Sequence, residues 1–241
     1  MPAIDPVRLA RQVADLQPLA ADPAELTQAV IRLAGEYLVR ARHEPEEESP
    51  LPPPVHRAIL NALRLALGPD PDAGRRAAAA LWAAKPVAAK RLAAGLIGCY
   101  AETFTADLAE IWATESVPAE VIRQLGEVGL THWRRAHPEE FLQRAEAWLA
   151  DRRRLLALYA LRAAVQEAEF EELPAVFHLL EGIGDRLRGE PKRAFGLLIK
   201  ALAGRSEIET AQFLTEQMER GGGVTAWMKS LLPDRAFRSP P

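Results

Sequence analysis

Prolines in this chain stand where helices begin, and they return at intervals of about one helix plus one turn. Pro6, Pro23, Pro54, Pro71, Pro86, Pro118, Pro138, Pro174 and Pro191 each precede an apolar pattern of helical period, at steps of 17, 31, 17, 15, 32, 20, 36 and 17 residues. The long steps are close to doubled short ones. Proline suits the first helical turn because the N–H it lacks would have no intrahelical partner there, and its fixed φ is already helical. A repeated run of such starts predicts stacked helical hairpins, an all-α chain wound as an α-α superhelix.

Composition points the same way. Ala and Leu dominate a hydrophobic content of 49 %, aromatic residues are only 6 %, and β-branched runs are almost absent, which favours helix over sheet. The 241 residues suffice for one continuous core, so a single domain over 1–241 is expected. Nowhere is there an uninterrupted apolar run long enough for a membrane-spanning helix, so none is expected. The first residues carry Asp5 and lack the apolar run of a signal peptide. Cys99 is the only cysteine, which excludes an intramolecular disulfide and points to a reducing, cytoplasmic setting. Its context, Gly-Leu-Ile-Gly-Cys-Tyr, predicts a buried structural thiol.

Twelve or thirteen helices are expected, pairing into about six antiparallel hairpins, the pattern of HEAT-like repeats. The first spans about Pro6–Leu19 and the second Pro23–Arg42, with Asp22 and Glu25 in capping-box spacing around Pro23. Residues 43–54, with four acids and five prolines, read as an exposed loop. Helices follow over Val55–Leu67, around Leu81 and Trp82, Pro86–Tyr100, Thr105–Thr114, from Pro118 past Val128, and from Pro138. Beyond these come Arg152–Ala168, Pro174–Arg188, Pro191–Ala203 and Ser206–Arg220, then a last short helix around Val224–Leu232 and a frayed tail over 233–241. A compact helical bundle is the structural alternative.

The standard catalytic signatures are missing: the chain holds no P-loop, no H-E-x-x-H and no C-x-x-C. Gly221-Gly222-Gly223 follows a helix and reads as its stop. His132 and His137 are interrupted by Pro138, a poor geometry for a metal, and neither metal nor cofactor is expected. Net charge is −3, yet residues 1–72 hold 7 basic and 11 acidic side chains whereas 123–205 hold 14 and 12. Arg152-Arg153-Arg154, with Arg134-Arg135 one hairpin earlier, is the sharpest polar feature. One reading is a solvated helix start. The other is phosphate binding, in which guanidinium groups from successive repeats track a nucleic-acid backbone, with Arg162, Lys192, Arg193 and Lys200 extending the stripe. Of Trp82, Trp112, Trp133, Trp148 and Trp227, most are expected to be core or rim fillers. Trp112 and Trp148, each near carboxylates in sequence, are the two candidates for lining a cleft.

Several segments in chain order resemble the AlkD-like DNA alkylation repair family, bacterial alkylpurine DNA glycosylases built from HEAT-like repeats. Pro54-Val55-His56-Arg57-Ala58-Ile59 is similar to that family's early Pro-x-x-Arg-x-Ile helix. Leu81-Trp82 followed by Lys90-Arg91-Leu92-Ala93 resembles its next hairpin, and Trp148 to Ala157 its Trp, Arg-Arg, Ala repeat. Arg193-Ala194-Phe195-Gly196-Leu197-Leu198-Ile199-Lys200 resembles its Lys-Ala-Ile-Gly-Trp-Ala-Leu-Arg motif. The resemblance implies a DNA-binding solenoid whose concave cleft holds a cationic alkylated base on aromatic faces while a carboxylate assists its loss. Leu197 stands at that motif's tryptophan, and the family's earlier Trp-x-x-x-Asp falls at Ser116 and Glu120. Glu120 is therefore the candidate catalytic carboxylate, and Arg153 or Arg154 meets the family's arginine. The expected function is duplex-DNA binding through the backbone with little or no glycosylase activity. An active alkylpurine glycosylase and a protein-interaction scaffold are the alternatives.

Overall fold

The computed structural model describes residues 4–38, 51–184 and 187–220, and every regular element among them is helical. The α-helices are α1 (Pro6–Ala14), α2 (Pro23–Tyr37), α3 (Pro53–Leu67), α4 (Pro71–Ala83), α5 (Val87–Ile97), α6 (Phe104–Trp112), α7 (Ala119–Gln124), α8 (Thr131–Ala136), α9 (Pro138–Ala150), α10 (Arg154–Gln166), α11 (Leu173–Leu179), α12 (Gly189–Arg205) and α13 (Glu207–Glu219). The expected helix at Val224–Leu232, Trp227 and the tail lie outside the described residues, as does most of the 43–54 loop.

Every proline of the repeated series lies at the N-cap or within the first three positions of a helix. Three of these starts share a device. Asp5, Asp22 and Asp70 each precede a proline and accept hydrogen bonds from the two backbone N–H groups that follow it, at 2.9–3.2 Å. Asp-Pro thus satisfies two orphan donors while the proline removes the need for a third.

The boundaries differ from expectation where the chain supplies its own breakers. α1 stops at Ala14 and Gln17–Ala21 forms a 3₁₀ turn, because Pro18 would clash with the preceding helical turn. α11 ends at Leu179, well short of Arg188, and Gly182 beyond it has φ +67°, a conformation that favours glycine. The helix expected from Pro118 is in three parts: α7, a π-helical segment Leu125–Gly129, and α8.

The chain divides into two compact units, Met1–Trp112 with Ser116–Ala136, and Ala113–Glu115 with His137–Pro241. In the first, α5 is the central helix and packs on α2, α3, α4, α7 and the π segment. It can do so because Ala88, Ala89, Leu92, Ala93, Ala94, Gly95, Leu96 and Ile97 are all buried, leaving an apolar surface on nearly every side. Against it stand Trp82 and Trp112, stacked with centroids 4.3 Å apart and planes within 4°. Lys90 caps the stack, its Nζ 4.8 Å from the Trp82 ring centre and donating to the Trp82 carbonyl at 2.6 Å.

In the second unit α10 is central and packs on α9 and α12, with α13 on α12 and α11 on α9. Arg205, the last residue of α12, donates to the carbonyls of Val165, Glu167, Ala168 and Phe170 at 2.5–3.3 Å. One guanidinium thereby satisfies the end of α10 and the turn after it, where helical carbonyls lack partners. We expect Arg205→Ala to lower the stability of this unit by about 1–2 kcal/mol, the worth of charge-assisted bonds discounted for their exposure. Urea denaturation would read this as a lower midpoint, with Arg205→Lys recovering only part of the loss.

Candidate functional site

The arginines that sequence places on one stripe divide into two groups. Arg134 is a correction: it is 5 % exposed, and its Nη1 donates to the carbonyls of Gly126 at 3.3 Å and Glu127 at 3.4 Å. A π turn displaces carbonyls from the usual i to i+4 partners, and Arg134 supplies donors to that segment from α8. A guanidinium so placed offers no surface charge to a phosphate. Its neighbour Arg135 is exposed.

At the turn between α9 and α10 the three arginines have three fates. Arg153 is held by Asp151: its backbone N–H donates to Asp151 Oδ1 at 2.7 Å and its Nη2 to Oδ2 at 2.5 Å. These bonds hold the Asp151 carboxyl below the usual carboxylate range. Arg154 donates from Nε to the Leu149 carbonyl at 2.7 Å, closing the end of α9. Only Arg152 is exposed with no hydrogen bond or ion pair among the described residues.

On α12, Arg193 is exposed and pairs with Glu190 at 2.7 Å, Lys192 is half-buried, and Lys200 is exposed without a partner among the described residues. Leu197 is 40 % exposed between them.

The aromatic expectation is also corrected. Trp112 is 4 % exposed in its stack with Trp82, and Trp148 is fully buried in α9. Both fill cores, and neither presents a ring face to a ligand. Glu120 sits exposed in the first turn of α7, where a carboxylate complements the helix dipole.

The clefts of the described surface include one in each unit. The first, about 440 Å³, is lined by the end of α3 and the α5–α6 loop, including Arg64, Leu65, Cys99, Tyr100 and Glu102. Cys99 is half-buried here rather than fully enclosed, its Sγ 3.9 Å from the Gly95 carbonyl. Burial raises its thiol above the ordinary value, with Arg64 pulling the other way, so it is a protonated thiol and a poor nucleophile. Burial also pushes the Tyr100 hydroxyl up to about 12. The second cleft, about 360 Å³, lies in the second unit between α9, the start of α10 and the end of α11.

No group of three or more His, Cys, Asp or Glu side chains among the described residues could hold a metal ion, and no described helix is long and apolar enough to cross a membrane. Compared with known protein families, curated proteins and solved structures, the chain matches none.

Proposed function

We propose that this protein is a cytoplasmic HEAT-like helical repeat protein that binds duplex DNA through its phosphate backbone, without excising bases. The observation that carries the reading is the arginine run at the α9–α10 turn, where Arg152 is exposed and uncommitted while Asp151 and the Leu149 carbonyl fix its neighbours. An unpaired guanidinium on an ordered turn can meet a phosphate without first breaking an ion pair. Lys200 offers a second uncommitted cation in the same unit.

The repeat architecture has its own support. Helices two apart in the chain pack together, α1 on α3, α2 on α4, α3 on α5 and α5 on α7 in one unit, α10 on α12 in the other. Stacked hairpins make that neighbour pattern. The burial of Trp112 and Trp148, with Leu197 in place of an aromatic ring, supports a reading without excision, since these three positions present no π face to a cationic base.

The test is fluorescence anisotropy with plain and methylated duplexes at low and moderate salt. Expected are equal affinities for the two duplexes and a loss of affinity as salt rises. Arg152→Ala with Lys200→Ala should reduce the slope of log K against log salt by about two, close to one released counterion per lost phosphate contact. No binding at low salt would sink the proposal, and release of free methylpurine from the methylated duplex would overturn its non-enzymatic part.

A further inference from the structure

We propose that the cleft between α9, α10 and α11 binds a free zwitterionic α-amino acid with an aliphatic side chain. Its volume, about 360 Å³, lies at the small end of the range of ligand pockets. Four ionisable side chains line it: Glu146, Arg154, His178 and Glu181. Two of them are already engaged with each other and with a third group. Glu181 pairs with Arg220 at 2.8 Å and with His178 at 3.5 Å, and the Arg220 hydrogen bond holds its carboxyl below the ordinary range.

That leaves one anion and one cation. Glu146 is exposed and has no hydrogen bond or ion pair among the described residues. Arg154 is half-buried and uses Nε on the Leu149 carbonyl, so its Nη edge is fixed in direction and makes no hydrogen bond among the described residues. The nearest acid in sequence, Asp151, takes its hydrogen bonds from Arg153 and meets Arg154 only through its charge. A guanidinium anchored in this way is prepared for a carboxylate, which it binds through two parallel N–H groups. A free carboxylate in the same cleft asks for an ammonium. Leu149, Leu179 and Ile183 supply the apolar part of the wall, which suits an aliphatic side chain and provides no aromatic face for a ring.

A plain anion would meet Glu146 as a like charge, and a plain cation would meet Arg154. A ligand carrying both charges satisfies the two groups together, and the α-amino acid, with ammonium and carboxylate on one carbon, is the smallest such class.

Isothermal titration of the full chain with L-leucine, N-acetyl-leucine and leucinamide tests this. Saturable leucine binding is expected, with each blocked analogue weaker by about tenfold or more, the worth of one charge-assisted contact. Glu146→Gln, an exposed change that leaves packing intact, should weaken leucine by about tenfold while strengthening N-acetyl-leucine or leaving it no weaker, because that anion no longer meets a like charge. No saturable heat with leucine up to about 10 mM, a concentration that would reveal a millimolar site, would overturn the proposal. So would a leucinamide affinity equal to that of leucine, or leucine binding that Glu146→Gln does not alter.

Discussion

Replacing Gly98 by alanine is expected to destabilise the first unit by roughly 2–3 kcal/mol, although the change adds one methyl group and no charge. Gly98 closes α5 with φ −67°, so its backbone would suit any residue. The demand is for space. A Cβ there would overlap the Val128 carbonyl oxygen and its carbon, and one on Gly129 would meet the Ala94 carbonyl at 2.8 Å. These are backbone atoms on both sides, α5 against the π segment, and neither can swing away as a side chain would. His132 reinforces the contact by donating from Nδ1 to the Gly98 carbonyl. Gly35→Ala is the control. A Cβ at that position meets nothing within 4 Å, and inside α2 the same substitution should stabilise by about 0.5–1 kcal/mol through helix propensity and unfolded-state entropy. Urea midpoints that move in opposite directions for the two variants are the expected result. Equal shifts would show that α5 and the π segment do not approach closely.

The same contact shows where sequence reasoning stops. Pro6, Pro23, Pro71 and Pro138 announce their helices because a proline acts within its own turn, through sterics the neighbouring sequence cannot undo. Asp-Pro was equally available as a signal at Asp5, Asp22 and Asp70, since the capping bonds span only two and three residues. The π segment was not. Leu125-Gly126-Glu127-Val128-Gly129 carries an ordinary helical pattern, and what holds it in a wider register is tertiary, the seat against Ala94 and Gly98 and the guanidinium of Arg134.

Site residues fail for a related reason. Arg134 and Arg135 are adjacent and chemically alike, yet successive helical positions point about 100° apart, so one is buried and the other exposed. Trp112 looked open because Glu110 and Glu115 flank it, whereas its partner in the stack, Trp82, lies thirty residues away in sequence. Of the arginine run, the sequence shows three charges and the structure leaves one uncommitted. That reduction is what makes the DNA proposal specific enough to fail, since it rests on Arg152 and Lys200 and no longer on a stripe of nine cations.

A second large effect is expected from acid. His56 of α3 is 8 % exposed, its Nε2 has no hydrogen-bond partner among the described residues, and Arg91 of α5 stands against it. Burial first, then the Arg91 charge, lower its pKa from 6.5 to about 4, and a hydrogen bond to the Arg91 backbone offsets only part of this. The imidazole is therefore neutral in the folded protein at neutral pH. Between about 6.5 and 4 the unfolded chain binds a proton at this position that the folded chain refuses, so stability falls as pH falls through that window. The full loss is on the order of 3 kcal/mol, complete near pH 4. Asp151, whose pKa is lowered by Arg153, loses its contribution only as pH falls below the ordinary carboxylate value, which separates the two in a titration. Urea midpoints measured from pH 7.5 to 4 should decline in the native protein and stay nearly level through that window in His56→Leu, which keeps the apolar contacts and cannot take a proton. An equal decline in the variant would place the acid sensitivity elsewhere, and a native protein without any decline would mean that the imidazole can be protonated in place.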